Sequence, residues 1–112
     1  PPALHGRPAL LNDYVAPRNE FEQSIGAIWQ EVLGIEQIGV HDNFFELGGH
    51  SLLATQLVSR LREAIPIDLP LSRLLEAMTI AEQSEVIEEL LIEKLEELPE
   101  AEAQRLMATM FR

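Results

Sequence analysis

A helical period constrains this chain more than any other feature. Phe21, Ile25, Ile28, Trp29 and Val32 recur at i, i+4, i+7, i+8 and i+11, which predicts one apolar stripe on a helix from about Glu20 to Leu33. Leu53, Ala54, Leu57, Val58, Leu61, Ala64 and Ile65 share one arc of about 140° at roughly 100° per residue, on a helix from near Ser51 to about Ala64. Ile80, Ile87, Leu91 and Leu95, joined by Leu90, form the stripe of a last core helix ending near Leu95. No alternating β-pattern of useful length and no internal repeat accompanies them. With 112 residues there is room for one modest core. The expected fold is all-α, a small bundle of three main helices plus one short one.

Local signals bound these elements. Asn19 with Glu22, and Thr79 with Glu82, have the spacing of capping boxes, and Gly34 is placed to end the first helix. Pro66 stops the second. The stretch 69–78 holds a short helix containing Leu71, Leu74 and Leu75. Residues 1–18 carry Pro1, Pro2, Pro8 and Pro17 without a helical period and are expected to be a linker. The bundle is expected over 19–95. Residues 96–112 form a separate linker or helical tail, in which Pro99 breaks the pattern and Ala103, Leu106, Met107 and Met110 resume it. Between the first two main helices lies a long connection, 35–50. Ile35, Ile38, Val40, Phe44, Phe45 and Leu47 are available to pin it to the core. Long connections in small domains are often functional.

Composition removes several function classes. Nineteen acidic residues face eight basic ones, for a formal charge of −11, which phosphate backbones repel, so no nucleic-acid partner is expected. No apolar run approaches the roughly 18 residues of a membrane span, and no charged segment followed by an apolar one opens the chain. No membrane association and a cytoplasmic address are expected. Cysteine is absent, which excludes a disulfide scaffold, a thiolate metal site and a cysteine nucleophile. Any thiol chemistry must come from a group added after synthesis.

One segment stands apart: Asp42-Asn43-Phe44-Phe45-Glu46-Leu47-Gly48-Gly49-His50-Ser51-Leu52-Leu53. An apolar, acid-flanked loop runs into two glycines and presents one hydroxyl where a helix begins. Serine is also a favoured N-cap and glycine is permissive in the turn before it, so the pattern has a plain structural reading. Against that stand the room a glycine pair leaves for a bulky partner, the two phenylalanines, and Leu52. On the helical wheel Leu52 falls outside the core arc, beside Gln56 and Ser59. A helix N-terminus also suits a phosphodiester. A serine hydrolase lacks support: the second glycine of a Gly-x-Ser-x-Gly elbow is missing, and no strand precedes the serine. His50 at the adjacent position points about 100° away from Ser51. His41, Asp42, Glu46 and His50 match no recognised metal site, and no metal is expected. The acidic last helix is expected to be a solvated face, and Trp29 and Met78 to be core residues. Ser51 reads as a residue that another enzyme modifies and that then carries what was attached.

The segment from Asp42 to Ala54 resembles the core motif of peptidyl carrier (thiolation) domains of nonribosomal peptide synthetases, which fold as acyl-carrier-like bundles. The resemblance covers roughly residues 17 to 95, and Trp29-Gln30-Glu31-Val32-Leu33-Gly34 and Ile38-Gly39-Val40 also sit where the family places them. It departs at Leu74-Leu75-Glu76-Ala77-Met78-Thr79, where the family often has Leu-Phe-Glu-Ala-Pro-Thr. Residues 1–18 resemble the linker leaving an adenylation domain.

The resemblance implies that Ser51, flanked by Gly48, Gly49 and His50, is the attachment point of 4'-phosphopantetheine. A phosphopantetheinyl transferase would install the arm from coenzyme A with magnesium, and the arm's thiol would hold aminoacyl or peptidyl groups as thioesters. The domain would be non-catalytic and monomeric in isolation. It would serve an adenylation domain and then condensation, thioesterase or tailoring domains, and histidine before the serine resembles carriers that feed condensation or release steps. The implied partner surface comprises Phe45, Leu47, Leu52, Gln56, Ser59, Leu71, Leu75 and Met78. Two other readings stay open: an acyl carrier of polyketide or fatty-acid type, and a non-enzymatic acidic interaction module whose serine only caps a helix.

Overall fold

The computed structural model describes residues 13–110, and its regular elements are all helices: α1 Glu20–Leu33, α2 Ser51–Ala64, α3 Leu71–Glu76, α4 Ile80–Glu97 and α5 Glu100–Met110. The proline-rich residues 1–12 lie outside the described part. α1 packs against α2 and α4, and short α3 bridges α2 and α4. The expected three long helices and one short one are present. The tail adds a fifth, α5, which buries no residue.

The capping signals act as their spacing predicts, with one variation. Asn19 Oδ1 accepts from the Glu22 N–H at 2.9 Å, and Gly34 ends α1 in the left-handed region at φ 68°. At α4, Thr79 accepts from the Glu82 N–H and donates its own hydroxyl to Glu82 Oε1. Glu22, however, turns past its capping partner. Its carboxylate accepts from the Arg18 backbone N–H at 2.8 Å and from the guanidinium at 3.1 and 2.7 Å. Those guanidinium bonds hold the Glu22 carboxyl below its ordinary value, outweighing the burial that pushes it up. A carboxyl lowered on folding stabilises the native state above the unfolded value of about 4.3, and that stability drains as pH falls through the folded value. Glu22→Gln is therefore expected to cost about 1–3 kcal/mol at pH 7 in urea unfolding. The gap to the parent should begin to narrow below about pH 4.3 and close as pH passes the lowered folded value. A gap independent of pH would overturn the ion-pair explanation.

The core is built around Trp29, which is fully buried. Its indole N–H donates to Gln83 Oε1 of α4 at 2.9 Å, and its ring meets Phe44 edge to face at 5.2 Å. Ile25, Leu57, Leu61, Leu74, Ile80 and Ile87 close around the pair. The α2 arc is buried as expected except at its edges, where Leu53 is half-buried and Ala64 exposed. Ala64 sits in the last turn, at the rim of an open groove shared with α1.

The connection 35–50 has almost no regular structure, yet it is pinned at both ends and in the middle. Val40 N–H donates to Val15 O, Val40 O accepts from Ala81 N–H in the first turn of α4, and Phe44 N–H donates to Met78 O. Buried Asp42 accepts from Gly39 N–H at 2.8 Å, and Asn43 Oδ1 accepts from Phe45 N–H at 2.9 Å, an Asx turn. Ile35, Ile38, Val40, Phe44 and Leu47 point inward. Phe45, expected among the pins, is 48% exposed and only leans its ring edge on Phe44.

Candidate attachment site

Ser51 is the first residue of α2 and is exposed. The N-cap is His50, not Ser51. His50 has extended backbone (φ −144°, ψ 178°), and its Nδ1 accepts from Leu53 N–H at 3.5 Å, a weak cap. That geometry overturns the plain reading of Ser51 as the cap, because Ser51 already has helical backbone and the side chain that accepts from the first turn is that of His50. With Nδ1 toward the Leu53 N–H, His50 makes no hydrogen bond to the Ser51 hydroxyl.

The two glycines divide the work. Gly48 occupies φ 101°, a region that side chains disfavour, and its N–H donates to Phe45 O. Gly49 lies against Phe44: its N–H donates to Phe44 O at 3.0 Å, and a β-carbon there would collide with the Phe44 ring. The glycine pair, read from sequence, leaves room for an outside partner. At Gly49 the space is already taken by the protein's own core, so this glycine seats the loop on Phe44 and holds Ser51 at the surface.

The residues expected to meet partners separate into two groups. Leu52 is 64% exposed, Phe45 48%, and Leu71 and Leu75 42% each. Leu71 and Leu75 are one turn apart on α3, and Gln56 and Ser59 are exposed on α2. Leu47 and Met78 do not belong with them. Leu47 is 6% exposed and Met78 5%, both inside the core cluster. Leu47 turns inward because its N–H is held on Asn43 O, and Met78 because its carbonyl anchors Phe44 N–H beneath the loop. Met78 is a core residue, as its apolar character alone suggests. Removing Leu52 beyond Cβ is expected to change stability by less than about 0.5 kcal/mol, whereas Leu47→Ala should cost about 2–5 kcal/mol, both read from urea unfolding. Similar losses from the two would place Leu52 in the core.

Among the described residues no group of three histidine or acidic side chains is gathered to hold a metal ion. No described helix is long and apolar enough to cross a membrane. Reading the sequence alone missed His50 as the cap and Asp42 and Asn43 as loop anchors. The signal was available in the preference of Asp and Asn for turns that their side chains close.

Residues 23–87 match the family described as phosphopantetheine attachment site. Gramicidin S synthase 2 of Brevibacillus brevis is 51% identical over 86 residues, which is 77% of this chain and 2% of that much longer protein. A solved docking-domain complex of the Pax nonribosomal peptide synthetase, PaxA T1-CDD with PaxB NDD, is 36% identical with a TM-score of 0.70. That match covers 93% of this chain and 97% of the other. A peptidyl carrier protein solved with the phosphopantetheine transferase Sfp and coenzyme A is 38% identical, with a TM-score of 0.62, over 66% of this chain and 96% of the other. The chain therefore belongs to the phosphopantetheine attachment family, as a peptidyl carrier domain of the kind built into nonribosomal peptide synthetases, with 4'-phosphopantetheine as its cofactor.

Proposed function

We propose that Ser51 bears the arm and that the domain itself is non-catalytic, holding aminoacyl or peptidyl groups for a larger synthetase. The observation that carries this is an exposed serine at the first position of α2, behind a loop pinned on Phe44, with no side chain among the described residues hydrogen-bonded to its hydroxyl. The residues fit the group. Ser51 lies in a first helical turn whose N–H groups lack intrahelical acceptors, and both they and the helix dipole favour a phosphodiester. Attachment forms a bond between Ser51 Oγ and phosphorus and breaks the bond to the nucleotide half of coenzyme A; the transferase must supply the base that takes the hydroxyl proton. When bound, the arm supplies the thiol that this cysteine-free chain lacks. The chain's own part is to present the tether rigidly at its root, so that the cargo becomes an intramolecular reactant at each partner.

Leu52, Phe45, Leu71 and Leu75, with Gln56 and Ser59, are the proposed partner surface. A transferase, an adenylation domain, and condensation, thioesterase or tailoring domains would use it in turn. Leu52→Ala is expected to slow arm attachment or loading about tenfold, the size of one interface contact of roughly 1–1.5 kcal/mol. Unchanged rates would remove Leu52 from that surface. α5 is proposed to be a docking helix for a second synthetase chain, supported by the nearly full-length match to a carrier followed by a docking segment.

Intact-mass spectrometry after incubation with coenzyme A, magnesium and a broad-specificity transferase tests the reading. A gain of one phosphopantetheine supports it. An unchanged mass on folded, unmodified protein leaves the acidic interaction module in its place. Charging of the modified chain by an adenylation domain, and not from an acyl coenzyme A thioester, separates peptidyl from acyl carriers.

A further inference from the structure

α5 buries no residue, yet its half-buried residues share one side and the last of them, Met110, meets the bundle. Ala103, Leu106 and Met110 are its half-buried positions, and at about 100° per residue they span an arc of only about 60°. Met107, on the edge of the same apolar face, is 37% exposed. Met110 packs against the core cluster and lines a largely apolar groove of about 310 Å³ with Phe21 and Ile28 of α1 and Ala64 and Ile65 at the end of α2. Ser51 is at the opposite end of α2, about 20 Å away along the helix axis. The α5 hydrogen bonds that the structure gives run within the helix or to its own start: Thr109 to Arg105 O, and Ala103 N–H to Pro99 O.

We infer that the groove between α1 and the end of α2 is a docking site for α5 of the same chain, with Met110 as its point of contact. The contact is a latch that covers the apolar face of α5 until a partner takes it. An integral fifth helix would bury side chains, and α5 buries none. A free linker helix would have no reason to keep its half-buried residues on one arc with its last methionine in the groove. Because the latch is at the far pole from Ser51, opening it leaves the root of the arm undisturbed. A partner can therefore hold the carrier by α5 while the arm works elsewhere. The masking role rests on the docking reading of α5; the contact within the chain does not.

The absence of cysteine permits one clean probe. In the full chain, Ala108→Cys carries a nitroxide label on the exposed side of α5, and broadening of the amides of Ser24, Ile28 and Ala64 is recorded at low concentration. These amides are expected to broaden, and Met110→Asp is expected to abolish the broadening. Hydrogen exchange across α5 should then rise about tenfold, with the melting midpoint of the bundle within about 2 °C of the parent. Broadening that survives Met110→Asp overturns Met110 as the point of contact. Broadening of these amides in an isotope-labelled chain without the nitroxide, on mixing with nitroxide-labelled chains, means that α5 of a second copy fills the groove, which overturns the latch. A loss of several degrees on Met110→Asp makes α5 a structural element and also overturns it. The docking reading fails separately, if removing residues 99–112 leaves transfer to a downstream synthetase chain unchanged.

Discussion

Ser51→Ala is expected to abolish attachment of the phosphopantetheine arm while leaving the melting midpoint within about 2 °C of the parent. The hydroxyl is exposed and caps nothing, since His50 holds that position. The Ser51 carbonyl, which accepts from Thr55 Oγ1 at 3.0 Å, is backbone and survives the change. Alanine at the first helical position costs at most a few tenths of a kcal/mol, and its higher propensity offsets part of that. Had Ser51 been the cap, the same substitution would cost about 1 kcal/mol or more. Intact-mass spectrometry and thermal unfolding, run side by side, separate these cases. A variant that still gains the arm moves the attachment point to another hydroxyl. A variant that loses several degrees makes the serine structural.

Phe44→Ala carries the largest expected loss of stability, about 3–5 kcal/mol by chemical denaturation. That is a large share of the roughly 5–15 kcal/mol available to a domain of this size. The ring is fully buried and fills the space between Trp29 and Gly49. Removing it leaves a cavity beneath the loop and takes away the surface on which Gly49 rests. Arm attachment should slow in the same variant, because the turn that presents Ser51 is no longer held from below. Phe45→Ala provides the contrast. Phe45 is half exposed and touches Phe44 at a ring-centroid distance of 5.8 Å, so its loss should cost less than about 1 kcal/mol. Equal losses from the two neighbours would overturn the assignment of Phe44 as the support of the site.

These two phenylalanines also mark the limit of what can be read from sequence. Within a helix the period decides which side chain faces inward, so Ile25, Trp29, Leu57, Leu61 and Ile87 are legible as core without any structure. Between Gly34 and Ser51 there is no period. Which apolar residue points in is decided by contacts with segments far away in sequence: Val15, Met78 and Ala81 hold Val40 and Phe44, and Phe45 is left outside. For the same reason Leu47 passes for a surface residue when judged by its proximity to Ser51, and Met78 when it is grouped with the exposed leucines of α3. The environment of Glu22 is local, yet it too lies outside any period. Its place in a capping box is visible, but its triple engagement by Arg18 depends on how the lead-in segment turns onto α1.

By itself, the sequence determined the four bundle helices, most of their ends and the serine proposed to carry the arm. Those depend on spacing along the chain and on the chemistry of single residues: apolar period, capping side chains, a proline or glycine at a boundary, and a hydroxyl before a helix in a chain without thiols. The tertiary structure alone decided that His50 caps α2, that Gly49 is required by Phe44, and that Leu52 but not Leu47 is exposed. It also decided that α5 lies on its own bundle through Met110. The His50 cap and the Gly49 contact with Phe44 join residues close in sequence but outside any helical period, so spacing does not reveal them. The burial of Leu47 and the seat of Met110 depend on segments distant in sequence meeting in space, and no local pattern of residues encodes where that meeting occurs.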